Sequence, residues 1–120
     1  MPRVAFGDRA EEELRRLLAD LRRQSPVAAG RASQWFDDAI TLLEQFPRAG
    51  PLTDHVGVLE YRVLLAGSYR MWYAVDAEDN VTVLYIRHVR QQPPDPLNLE
   101  GRAEHGPEGE DSRPFSPNDG

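Results

Sequence analysis

Two arginines and two aromatic rings alternate with other residues along two neighbouring segments, Arg70-Met71-Trp72-Tyr73-Ala74-Val75 and Val83-Leu84-Tyr85-Ile86-Arg87-His88. If these pair as a hairpin through Ala77–Asn80, with Asp76 opposite Val81, side chains sort by alternation. Met71, Tyr73, Val75, Leu84, Ile86 and His88 then share one face and read as core. Arg70, Trp72, Ala74, Val83, Tyr85 and Arg87 share the other. Guanidinium groups beside rings can grip phosphates while the rings stack on unpaired bases. The same set also describes a solvated face whose arginines lie along aromatic rings. The pattern alone leaves both readings open. Arg62 joins this surface if the preceding hairpin turns through Ala66–Ser68, and flips to the other face if only Gly67-Ser68 form the turn.

Other chemistry is narrowed by what the chain lacks. It has no cysteine, which excludes thiolate metal sites and cysteine nucleophiles. All 14 basic residues are arginine, which removes lysine bases and Schiff bases. His55 falls in an expected loop, His88 closes the last apolar segment and His105 lies near the C-terminus, so their spacing makes no metal site. His88 could serve as a general acid or base, against the plainer role of a hydrogen-bonded structural histidine. No phosphate loop, nucleophile elbow or dinucleotide fingerprint is present, and no cofactor is expected.

The elements that must position these residues follow from periodicity. In 120 residues there is room for one domain. Residues 2–6 form a short strand candidate. Asp8 reads as an N-cap, with Glu11 completing a capping box. Ala10, Leu14, Leu17, Leu18 and Leu21 put one apolar stripe on a helix over 8–24. Ser25-Pro26 starts a second helix, with Ala32, Trp35, Phe36, Ala39, Ile40, Leu43 and Phe46 as its buried stripe. Pro47, Gly50 and Pro51 end it. The period then changes to two over Val58–Ala66, Tyr69–Asp76 and Val81–His88, an antiparallel meander. The expected fold is α+β: a strand, a helical hairpin, then three strands carrying the hairpin on one face.

Charge divides the chain. Residues 1–92 hold 12 Arg against 13 acids, and residues 93–120 hold 2 Arg against 7. The second segment also holds six of the ten prolines and little that could form a core. It reads as a disordered acidic tail following a domain over 2–92. That tail is either a solubilising appendage or a flexible decoy whose acids cover the arginines of the domain. No apolar run is long enough to span a bilayer, and the N-terminus lacks a signal-peptide core, so the expected setting is cytoplasmic.

Taken in order, Leu42-Leu43-Glu44-Gln45-Phe46-Pro47-Arg48-Ala49-Gly50-Pro51, Leu59-Glu60-Tyr61-Arg62-Val63-Leu64, Tyr69-Arg70-Met71-Trp72-Tyr73-Ala74-Val75-Asp76 and Val83-Leu84-Tyr85-Ile86-Arg87-His88-Val89-Arg90-Gln91 resemble the RelE/ParE superfamily of toxins from type II toxin–antitoxin modules. The resemblance covers about residues 3–92. It implies a cytoplasmic, growth-inhibiting toxin neutralised by a cognate antitoxin. RelE-type members cleave mRNA on the ribosome and ParE-type members poison DNA gyrase; a toxin-derived binding module without toxic activity is the alternative. Arg70 matches the arginine of the family's Tyr-Arg motif, Arg90 lies near its post-strand arginine, and Arg62 holds a basic position on the preceding strand. With His88 as proton shuttle, these four are the residues the resemblance offers for catalysis. The sequence departs from RelE-type cleavers in having no lysine and no tyrosine after Tyr85. An arginine stabilises a phosphorane but hardly deprotonates. The His88-x-Arg90 ending leans towards ParE-type members.

Overall fold

The computed structural model describes residues 3–91. Their elements are β1 (Val4–Phe6), α1 (Asp8–Gln24), α2 (Pro26–Gln45), β2 (Leu52–Val56), β3 (Leu59–Ala66), β4 (Tyr69–Val75) and β5 (Val81–His88). The strands form one sheet in the order β1-β5-β4-β3-β2. β1 runs parallel to β5, and the other pairs are antiparallel. The expected strand, helical hairpin and meander are all present. The expected tail at 93–120, its decoy role and His105 lie outside the described residues. No helix among the described residues is long and apolar enough to cross a membrane.

The helical hairpin starts differently from the sequence expectation. Gly7, not Asp8, is the N-cap of α1, and no side chain caps the helix. The reason is the sheet: Gly7 still donates its N–H to Val83 O at 2.8 Å, so β1 hands over to the helix through this single residue. Asp8 and Glu11 instead lie in the first turn, where they complement the helix dipole. At the second start Ser25 Oγ accepts from Ala28 N at 3.1 Å with Pro26 beginning the helix, as its sequence requires.

The core lies between the helices and one sheet face. Ala10, Ala32, Phe36, Ala39 and Leu43 pack with Met71, Tyr73, Val75, Val81, Val83 and Ile86. Three expected members are missing, and one of them, Ile40, is only half-buried at the margin of the α2 stripe. Phe46 is 60% exposed because α2 ends at Gln45 and Phe46, as C-cap, leaves helical geometry. Leu84 is only half-buried because the β4–β5 register shifts between Trp72 and Tyr73. Beyond that bulge Tyr73 pairs with Val83 and Val75 with Val81, so Val83 turns into the core in place of Leu84.

Two further differences concern β2 and the turns. Residues 52–56, expected as loop, form an edge strand paired with β3, and His55 sits on it opposite Glu60. All five residues are exposed, so no alternation in polarity marks the strand. Ala66 pairs with Tyr69, so the β3–β4 turn is Gly67-Ser68 alone, with Gly67 at φ 60°. A Cβ on Gly67 would meet the Trp35 ring at 1.9 Å, so glycine is required both for the turn and for the indole lying over it.

Candidate functional site

The two-residue turn decides where the four candidate residues go. Arg62 pairs with Tyr73 and lies on the core side of the sheet. Its side chain is 15% exposed, and its guanidinium donates to Gly50 O at 2.8 Å and to Glu60 Oε1 at 3.0 Å. Glu60 also accepts from Arg48 Nε at 3.0 Å, and Arg48 reaches Asp79 at 2.7 Å. The Tyr73 hydroxyl accepts from Gly50 N at 2.9 Å. This group ties the turn after α2 to β3, β4 and the β4–β5 loop. Desolvation would raise the Glu60 carboxyl, but the hydrogen bond from Arg62 and the charges of Arg48 and Arg62 together hold it below its ordinary value. Burial raises the Tyr73 phenol.

Arg70 lies on the opposite face, directly across from Arg87. Its Nη1 donates to Val89 O at 3.0 Å, so Arg70 holds the segment that carries Arg90. His88 pairs with Tyr69 and therefore shares the core side with it, against the edge of the Tyr69 ring at 5.3 Å. His88 Nδ1 accepts from Arg90 N at 3.1 Å, and Val89 N donates to Ser68 O at 2.8 Å. Tyr69 in turn packs on Phe36 and Trp35, and burial raises its phenol. The structure thus brings Arg70, His88 and Arg90 to one end of the sheet, with Arg70 and His88 on opposite faces. Arg62 is apart from them: four strand positions separate Tyr73 from Tyr69, or about 13 Å.

A neighbouring group was not singled out by the sequence patterns. Glu13 of α1 reaches the edge of β5, where its Oε1 accepts from Ile86 N at 2.8 Å. Arg9 and Arg87 flank Tyr85, with guanidinium carbons 5.2 and 5.9 Å from the ring centroid. The rings of the second face are therefore not solvated platforms: Trp72 is 9% and Tyr85 5% exposed.

Comparison with known proteins agrees with this architecture. Residues 4–93 match the family model described as ParE toxin of type II toxin–antitoxin system, parDE. The chain belongs to the ParE toxin family. No curated protein matches it. Among solved structures, this ParE-family chain is similar to the archaeal RelE–RelB complex from Pyrococcus horikoshii OT3, with a TM-score of 0.56 and 18% identity. That match covers 76% of this chain and 98% of the other, and it shows a shared fold. Membership of the ParE family agrees with the superfamily that its Tyr69-Arg70 and His88-x-Arg90 segments resemble.

Proposed function

We propose that the protein is a growth-inhibiting toxin that acts on DNA gyrase by protein–protein contact, without catalysis, and that a cognate antitoxin holds it inactive in the cytoplasm. The separation of the arginines carries this reading. RNA cleavage needs phosphate-binding and proton-transferring groups around one phosphodiester. Here Arg62 and Arg70 sit on opposite faces, and Arg62 is committed to Gly50 O and Glu60. The chain offers no lysine or post-strand tyrosine to replace a missing base. Membership of the ParE family supports the choice of target, and the solved complex of RelE with RelB supports an antitoxin partner.

The test is a paired assay with purified full-length protein. Supercoiling of relaxed plasmid by gyrase should fail, while ribosome-bound mRNA stays intact. Ribosome-dependent mRNA cleavage would overturn the reading in favour of a ribonuclease using Arg70, Arg90 and His88. Failure of both activities in a folded protein would leave a toxin-derived module without toxic activity.

A further inference from the structure

Charge is unevenly spread over the helical hairpin. Residues 14–34, the second half of α1 and the first half of α2, hold five arginines and a single acid, Asp20. The other described residues hold seven arginines and twelve acids. A nearly neutral domain thus concentrates four positive charges at the closed end of the hairpin. Four of the five arginines share one face of α1: Arg15 and Arg22, like Arg16 and Arg23, lie seven residues apart, about 10 Å along the helix. Leu14, Leu17, Leu18 and Leu21 turn the opposite face to the core, which leaves the arginines outermost. Arg15 and Arg16 share Glu12, at 2.6 and 3.0 Å, and Arg23 meets Asp20. Exposed pairs of this kind are weak and exchange readily for another anion. Arg22 is exposed and makes no hydrogen bond or ion pair with the described residues. The start of α2 adds to the field, because no acid in its first turn offsets the positive end of its dipole. Glu13 lies about 13 Å from Arg22 along α1, beyond the Debye length of about 8 Å at physiological salt.

We propose that this face of α1 binds the phosphate backbone of duplex DNA without reading its sequence. Guanidinium groups suit the task because each can hold two phosphate oxygens at once. Residues 14–34 contain no aromatic side chain, so a single strand gains no base stacking there. The leucines of α1 face the core, so the helix has no apolar side to sink into a bilayer. The choice of DNA as the duplex rests on the gyrase reading, because a toxin seated on gyrase lies beside the DNA that gyrase holds. Such a contact needs little affinity of its own, since binding to gyrase supplies a high local concentration.

The experiment needs no gyrase. Full-length protein is titrated into a labelled DNA duplex, and fluorescence anisotropy is read at a series of salt concentrations from about 0.02 to about 0.15 M. Affinity should fall as salt rises, with a log–log slope of about −0.9 for each phosphate contacted. Arg22→Gln should make that slope shallower by about one and lower the affinity about threefold at the lowest salt. Arg15→Gln combined with Arg22→Gln should make it shallower by about two. Arg3→Gln removes the same charge outside the stripe and should leave the slope unchanged. All these variants should unfold at the wild-type temperature, because the replaced side chains are exposed. Absence of binding at the lowest salt, or equal slopes for Arg22→Gln and Arg3→Gln, would overturn the proposal. Equal or tighter binding to single-stranded DNA, duplex RNA or polyglutamate would also overturn it. Failure of the gyrase reading is distinguishable: a protein that binds the duplex in this way and leaves supercoiling intact refutes that reading and keeps the DNA contact.

Discussion

At the scale of single residues, arginines alike in sequence divide into different duties. Arg62 is a structural tie, because its guanidinium satisfies Gly50 O and Glu60 inside a largely enclosed site. Arg62→Ala should therefore cost about 2–3 kcal/mol in chemical denaturation, in the range for removing one member of a hydrogen-bonded charged group. Lysine should restore little of that, since one ammonium cannot reproduce the fork. Arg70→Ala removes one hydrogen bond to Val89 O and should cost about 1 kcal/mol or less. Any loss of toxicity in a normally expressed Arg70→Ala protein then reports function, whereas a loss in Arg62→Ala reports stability. A small loss for Arg62→Ala would mean that its ties to Gly50 and Glu60 do not hold the turn. The motif Tyr69-Arg70 was legible in the sequence. The duty of Arg62 hung on whether the turn held two or three residues, which Gly67 alone could not announce. Its φ of 60° and the indole packed on it are properties of the assembled fold.

At the scale of elements, the same division separates what periodicity can and cannot reveal. α1 and α2 were legible almost to the residue because stripes at helical spacing and Ser25-Pro26 are local signals. The bulge opposite Trp72 and Tyr73 is not local, and it exchanges Leu84 for Val83 in the core. β2 escaped notice because an edge strand exposed at every position needs no alternation. Leu43 tests the face of α2 that packs on the sheet. It is fully buried, so Leu43→Ala should cost about 2–5 kcal/mol, measured by denaturant unfolding. A cost under about 1 kcal/mol would place another residue at the centre of the hairpin contact. The joints between elements should also govern pH dependence. Glu60 and Asp76 both titrate below their ordinary values, Asp76 because the Asn80 and Glu78 amides donate to it. A lowered folded value means the unfolded chain binds protons first as pH falls. The stability they contribute is complete above the ordinary carboxylate range near pH 4 and is lost on descending through the folded values. Thermal unfolding should move to lower temperature between about pH 5 and 3, and Glu60→Gln should flatten part of that slope. An unaltered slope would remove Glu60 from the account. Tyr69 and Tyr73, raised by burial, act at the other end, where stability should fall as pH climbs past about 10.

At the scale of the whole molecule, the described elements and most of the net charge lie in different parts of the chain. Every described element ends by His88 and the family match ends at residue 93, while five of the six net negative charges belong to residues 93–120. A chain ending at Gln92 should therefore unfold within about 2 °C of the full chain, because a domain with its own core and paired sheet folds alone. The consequence for binding is electrostatic and long-ranged. Removing residues 93–120 changes the net charge from −6 to about −1. An acidic partner approaching the domain would then meet a weaker repulsive field, and its association rate should rise. Screening limits the effect, since the Debye length shrinks from about 30 Å at 0.01 M salt to about 8 Å at 0.15 M. Stopped-flow association of an acidic dodecapeptide should thus be several-fold faster with the shortened chain at 0.01 M salt. The two rates should converge near physiological ionic strength, with dissociation rates nearly equal throughout. A difference confined to dissociation would show that residues 93–120 compete with the peptide by direct contact, and equal association rates at low salt would leave the field of those residues without influence on binding.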